Sequence, residues 1–361
     1  MITARPSRSV VAAGAVVVAL ATVLPASPAT PAPVAPAAPT VEQLARRIQK
    51  LEVKAAMAGE RYNRTREEII SARVRLIAAR NRVAAQQQRV ERARESLGLL
   101  AAEVYRRGHF SGLDLAFSED PEALLAQAGL VTSMATRRSD LVEKLELAER
   151  QLVEDADRVV AEEEALREGR RRLAEYRREV LRQLTRTQAE LGSLSYRDRM
   201  MLQRASRDRD RRAILDALRQ PPEGGTGSAG RTGGIGVSCT GVPVVAPSRR
   251  AAAVLRFACA QLGKPYRWGA SGPRNWDCSG LTRMAWAQAG VSLPHSSALQ
   301  YSYGTRVSRQ DLLPGDLVFF YSPISHVGIY LGRGLVLHAP STGDLVKISG
   351  IFDSYVGAVR L

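Results

Sequence analysis

Apolar residues recur at every seventh position from Tyr62 onward: Tyr62, Ile69, Leu76, Val83, Val90, Leu97 and Val104 follow without a miss. A second seam, Thr65, Ala72, Ala79, Gln86, Ala93 and Leu100, is mostly small or apolar. Paired stripes of this kind turn one side of a helix toward a partner, so they predict a coiled coil rather than a lone surface helix. The pattern fails at Arg107-Gly108-His109, and the segment that follows (FSGLDLAFSED) has turn chemistry. Asp120-Pro121 reads as a new helix start, since proline at the first helical position sacrifices no hydrogen bond. A second run then appears at Leu145, Leu152, Val159, Leu166, Leu173, Val180, Thr187 and Leu194. Residues 41–219 are therefore expected to form a long antiparallel hairpin, each arm of ~60 residues reaching ~90 Å. Dimerisation through the same seams is the alternative. His109 stands alone in a Gly-flanked loop and receives no role.

Beyond residue 219 the pattern changes twice. Residues 220–248 open with PPEGGTGSAGRTGGIG and read as a flexible linker that marks a domain boundary. Residues 249–361 mix periods and predict a small α+β domain. Arg250–Leu262 has helical spacing and stops before Gly263, and a second helix starts at Asp277 or Cys278 and closes at Gly290. Asp316–Tyr321, His326–Leu331, Leu335–His338 and Val356–Leu361 read as strands between Pro/Gly turns.

The first residues have a different origin. Arg5 and Arg8 precede an apolar run from Val10 to Leu24, and Ala26, Ser27 and Ala29 offer small-residue cleavage sites. This is the make-up of a secretory leader over residues 1–29, with a retained anchor as the other reading. Residues 30–40 (TPAPVAPAAPT) form a Pro/Ala-rich lead-in. Export is expected to place the mature chain outside the membrane.

An oxidising compartment changes how the three cysteines are read. One pair plus one working thiol is economical. A Cys239–Cys259 bridge closing a loop of about 20 residues would stabilise by ~3 kcal/mol in the chain-entropy model. Two unpaired thiols, with Cys259 simply in the core, is the competing account. The net charge of +16 suits anionic wall polymers or lipid headgroups, or only solvated Arg-rich helix faces. Nucleic acid is not expected, because the chain carries no recognised nucleic-acid motif.

Cys278 is the candidate nucleophile. At a helix start its thiol meets unsatisfied backbone N–H groups and the positive end of the helix dipole, which favour thiolate and can bind an oxyanion. A buried apolar cysteine is the plainer reading, but the polar Asp-Cys-Ser-Gly setting opposes it. If Gly332-Arg333-Gly334 forms a three-residue loop, Leu331 pairs with Leu335 and His338 lies opposite Gly328. His326 then shares a face with His338, within side-chain reach. One imidazole can act as base while the other orients it. A zinc site is the rival use of one Cys and two His, but no fourth ligand or close ligand pair is evident.

Six segments stand in a fixed order: Gly263-Lys-Pro-Tyr-Arg-Trp-Gly269, Trp276-Asp-Cys-Ser-Gly-Leu281, Leu293-Pro-His-Ser-Ser297 with Gln300, Leu313-Pro-Gly-Asp-Leu-Val-Phe-Phe320, His326-Val-Gly-Ile-Tyr-Leu-Gly332, and His338-Ala. In these the C-terminal third resembles the NlpC/p60 family of cell-wall peptidases. The resemblance implies a papain-like fold over residues 249–361, with Cys278 as nucleophile, His326 as base and His338 orienting it. It implies the peptidoglycan stem peptide as substrate, cut between γ-D-glutamate and the diamino acid, with no cofactor and no metal. Tyr266, Asp277 and Ser279 match substrate-lining positions, and Trp268 is expected to bind substrate beside them. His295 departs from the Arg common in relatives and is expected at the groove rim. In relatives with such coils the activator is a transporter-like membrane complex at the division septum, and the coil could dock there or cover the groove. An amidase or acyltransferase on the same fold is a second reading. A non-catalytic regulator working through its coiled coil is a third.

Overall fold

Long-helix formers dominate residues 41–219, and the computed structural model turns them into helices with few interruptions. It describes residues 40–106, 121–220 and 234–361. The expected leader, the lead-in, the turn segment with His109 and most of the Gly-rich linker lie outside the described residues. Helix α1 spans Val41–Arg106 and α2 spans Pro121–Ser193, with the proline at the first helical position as expected. Ion pairs Arg47–Glu190, Arg75–Glu162 and Arg94–Glu149 join them, so the two run antiparallel. Exposed pairs of this kind are each worth little. The adhesion comes from the seam, where Ile69, Ala72, Ala79, Val90, Leu166 and Val180 are buried. No helix among the described residues is long and apolar enough to cross a membrane.

The second arm does not run unbroken to residue 219. It ends at Ser193, and Ser195 caps a separate helix, α3 (Tyr196–Arg219), by accepting from the Asp198 amide at 3.1 Å. The expected linker is shorter too. Ile235–Cys239 (β1) and Val242–Ala246 (β2) pair as a hairpin in which Val237, Cys239, Val242, Val244 and Ala246 face inward. The Gly-rich composition upstream hid this alternation. Cys239 is bonded to Cys259 at the end of helix α4 (Arg249–Cys259), stapling the hairpin to the domain.

A six-stranded antiparallel sheet follows, ordered β3-β8-β4-β5-β6-β7. Its strands are β3 (Thr305–Val307), β4 (Leu317–Phe320), β5 (His326–Gly332), β6 (Leu335–His338), β7 (Lys347–Gly350) and β8 (Tyr355–Arg360). Helices α5 (Cys278–Ala287) and α6 (Ser297–Gln300) precede it. Leu317, Phe319, Val327, Ile329 and Leu337 join α4 and α5 in the main core. Each such fully buried side chain contributes about 1.5–3 kcal/mol. Val318, Phe320, Tyr330 and Val336 on the other face form a second cluster with Phe352. Edge strand β7 is covered by α3, whose Ala213, Ile214 and Ala217 enter the main core, while Lys347 pairs with Asp210 at 3.1 Å.

The β5–β6 turn is tighter than expected. Arg333 and Gly334 take positive φ (54° and 73°), a bulge absorbs the extra residue, and Gly332 rather than Leu331 pairs with Leu335. Ile329 still faces Leu337, so His338 lies beside Gly328 as projected. A Cβ on Gly328 would come within 3.1 Å of the His338 Cβ, so only glycine lets the strands approach so closely here.

Candidate active site

Asp277 sets the geometry from which the rest follows. As N-cap of α5 its Oδ1 accepts from the Gly280 amide at 2.7 Å, and Oδ2 accepts from the Gly269 amide at 2.9 Å. Cys278 is thereby the first residue of the helix, at the end where amides lack intrahelical partners. It is the free cysteine among the described residues, and the backbone amides of Ser279 and Val327 point at its sulfur. Val327 follows His326, so the opening of β5 lies against the thiol. Gln300 braces this end by donating to the carbonyls of Ser279 (2.9 Å) and Pro294 (2.8 Å).

The two histidines form a buried relay. His326 Nε2 lies 2.7 Å from His338 Nδ1, and His338 Nε2 lies 2.9 Å from Ser349 Oγ on β7. The Phe352 ring lies 6.1 Å from the first imidazole and 5.8 Å from the second.

Electrostatics in this state oppose the charged form of the site. Burial pushes the Cys278 thiol well up, the Asp277 and Glu60 carboxylates add to this, and the two amides only partly offset it. Burial lowers His326 to about 4 against a raising effect from Asp277. His338 is driven well below its ordinary value by burial, then by His326 and Lys347. The helix start was expected to favour thiolate. Here burial outweighs it, and the resting site is a neutral thiol beside neutral imidazoles.

Helix α1 packs against the site. Glu60 accepts from the Ser296 hydroxyl, from the Ser297 amide (2.9 Å) and hydroxyl, and from the Ala298 amide (3.1 Å). Asn63 donates to Asp277 Oδ2 at 3.3 Å, and Glu67 accepts from the His295 amide at 3.0 Å. Tyr62 packs edge-on against Trp268, ring centres 4.6 Å apart. A Cβ on Gly59 would come within 2.8 Å of the Trp268 ring, so glycine is what lets the helix lie so low. Farther along, Ser341 donates to Glu52 at 3.2 Å.

The expected site residues do converge. Burial pushes the Tyr266 phenol well up, and the neighbouring Cys278, Asp277 and Glu60 add to this. Ser279 is fully buried, its hydroxyl 3.5 Å from Asp277 Oδ1. Trp268 lies under α1. His295 is the correction. It is 1 % exposed rather than at a rim, with Nε2 2.8 Å from both Asp277 oxygens and Nδ1 3.2 Å from Ser271 Oγ. Pointing inward, it orients the cap. Sequence reasoning missed Glu60, Asn63 and Ser349; a glycine at 59 within a long helix was the one signal of close approach. Among the described residues, no cluster of three or more His, Cys, Asp or Glu is arranged to hold a metal ion.

Residues 263–359 match the NlpC/P60 family. A probable endopeptidase of Mycobacterium tuberculosis is 44% identical over 111 residues, covering 30% of this chain and 29% of that protein. The probable endopeptidase p60 of Listeria monocytogenes is 50% identical over 95 residues, covering 26% of this chain and 19% of that protein. The chain thus spans less than a third of the length of either relative. The crystal structure of the NlpC/p60 domain of the peptidoglycan hydrolase SagA is 36% identical, with 31% of this chain and 98% of that one covered and a TM-score of 0.30.

Proposed function

Because residues 263–359 form an NlpC/P60 domain, we propose that the protein is an exported cysteine endopeptidase of peptidoglycan, held shut by its own helix pair. The observation that carries the chemistry is a free thiol at the first turn of α5, beside the strand that brings in the His326–His338 pair. The substrate is the stem peptide, and the bond is the one from γ-D-glutamate to the diamino acid.

With the groove open to water, Cys278 loses its proton to His326, and the thiolate attacks the γ-glutamyl carbonyl. Amides at the start of α5 stabilise the oxyanion. The C–N bond breaks as the imidazolium gives its proton to the leaving amine, which leaves a thioester on Cys278. Water, deprotonated by His326, then releases the glutamyl carboxylate and restores the thiol. His338 steadies the imidazolium, while Tyr266, Trp268, Asp277 and Ser279 line the acyl side. None of these steps calls on a cofactor.

The helix pair supplies regulation. Glu60, Asn63 and Glu67 lie along the wall formed by residues 295–298 and Asp277, so peptide and helix compete for the same polar groups. Wall polymers suit the basic helix faces, and a membrane complex that engages the coil is the expected activator.

The test is product analysis of purified wall after digestion. The wild-type chain is expected to release fragments ending in γ-D-glutamate, and Cys278→Ala to release none. Retained activity in that variant overturns the nucleophile assignment. Cleavage at the lactyl–L-alanine bond would make the protein an amidase, and transfer in place of hydrolysis an acyltransferase.

A further inference from the structure

Beyond the thiol and its two histidines, the geometry points to Ser349 as a further positioning residue, which fixes the tautomer of His338 so that the relay runs in one direction. The inference rests on the peptidase reading.

Ser349 and His338 are brought together by the β6–β7 register. Val336 pairs with Ser349 and His338 with Lys347, so Ser349 is the diagonal neighbour of His338 on the same face. Both are buried, and Ser349 Oγ lies 2.9 Å from His338 Nε2. The other nitrogen of His338 is already committed, 2.7 Å from His326 Nε2.

Proton bookkeeping decides the direction. To accept the thiol proton, His326 needs the lone pair on its Nδ1, so its own proton sits on Nε2. That N–H must donate, and the group that receives it is His338 Nδ1, as a lone pair. The His338 proton is then on Nε2, and the oxygen placed to accept it is Ser349 Oγ. Without that acceptor, a buried Nε2–H would be left unsatisfied. The imidazole would then favour the opposite tautomer, setting Nδ1–H against the His326 N–H. The charged groups around the relay are Asp277 beside His326 and Lys347 beside His338, with Asp344 and Asp210 holding the lysine from the loop before β7 and from α3.

The strand that carries Ser349 is also the one α3 covers. A Cβ on Gly350 would sit 3.2 Å from Ala213 Cβ, so the helix presses on the residue next to Ser349. The relay is thus held in register from outside the segments that carry the thiol and the base.

The test reads the tautomer directly. The chain has four histidines, so ¹⁵N-histidine spectra of the full chain can be assigned by single substitution. His338 is expected as the Nε2–H form in the wild type, as a mixture or the Nδ1–H form in Ser349→Ala, and as the Nε2–H form again in Ser349→Thr. An unchanged His338 spectrum in Ser349→Ala overturns the inference, as does an Nδ1–H form in the wild type. In wall digestion, Ser349→Ala should lower kcat on the order of 10-fold with little change in KM. The basic limb of its pH profile should move toward acid, since the His326 imidazolium is less supported, and Ser349→Thr should recover both. Adding Ser349→Ala to His338→Ala should cost nothing more; a further loss would show a general packing role instead. Activity surviving in Cys278→Ala would sink the peptidase reading but leave the tautomer result intact, so the two failures are distinguishable.

Discussion

His326 makes the described state sensitive to acid in a calculable direction. Its imidazole titrates at about 4 when folded, against 6.5 for a free histidine. Between those values the unfolded chain binds a proton that the folded chain refuses, so this contribution is complete above pH 6.5 and disappears as pH falls toward 4. The loss amounts to ~2–3 kcal/mol by pH 4.5. Glu52 and Glu60 are pushed the other way by burial and partly mask it. The measurement is therefore a difference: urea midpoints at pH 7 and 4.5 should diverge more for the wild type than for His326→Gln. Equal divergence would mean that His326 is not buried in the neutral form. At this scale the sequence was readable where chemistry and local geometry coincide. Cys278 was legible from its polar helix start, and His338 from a hairpin register that survived a misjudged turn. His295 was not, because nothing local shows that Asp277 turns back onto it. Ser349 was hidden in Lys-Ile-Ser-Gly, too short and too mixed to read as a strand.

Among elements, α3 is the one whose affiliation the sequence conceals. Its Arg-rich composition continues that of α2, and the break rests on a single serine cap at Ser195. What reassigns it is the inward set Ala213, Ile214 and Ala217, which packs in the catalytic core and not in the helix pair. Ala217 is 2 % exposed. Ala217→Asp would bury a carboxylate there without a partner and should cost about 3 kcal/mol or more. Calorimetry of the full chain should show the catalytic unit melting earlier, whereas a matching change at exposed Ala84 should leave it alone. An unmoved transition in Ala217→Asp would mean that α3 only rests on the sheet. The same logic explains the hairpin of residues 235–246: flanking glycines announce a linker, but burial at alternate positions makes a strand pair once Cys239 is tied to Cys259.

For the whole molecule, the decisive contrast lies between two interfaces. The α3 contact is apolar and continuous with the core. The α1 contact is mostly polar, with Glu60 in a ring of hydroxyl and amide donors. Hydrogen bonds to a charged group are worth ~1.5–3 kcal/mol each against an unpaired alternative, so one substitution can shift such a closure by more than tenfold. Glu60→Lys in the full chain should raise wall-digestion turnover at least 10-fold while the catalytic unit still melts cooperatively. Unchanged turnover would show that α1 does not restrain the site. The heptads announced that a long helix pair exists, but periodicity reports only the face turned to its partner helix. Glu60 and Asn63 serve a surface more than 200 residues downstream, and no local pattern encodes that.

The groove contacts of α1 run from Glu52 to Glu67, a stretch of about 22 Å, and the helix then continues to Arg106 for roughly 60 Å more. That overhang is a crowbar. Under the proposed autoinhibition, a tug near its far end works on the seated carboxylate through an arm more than twice as long as the grip it must break, so a weak and distant push is expected to suffice for release.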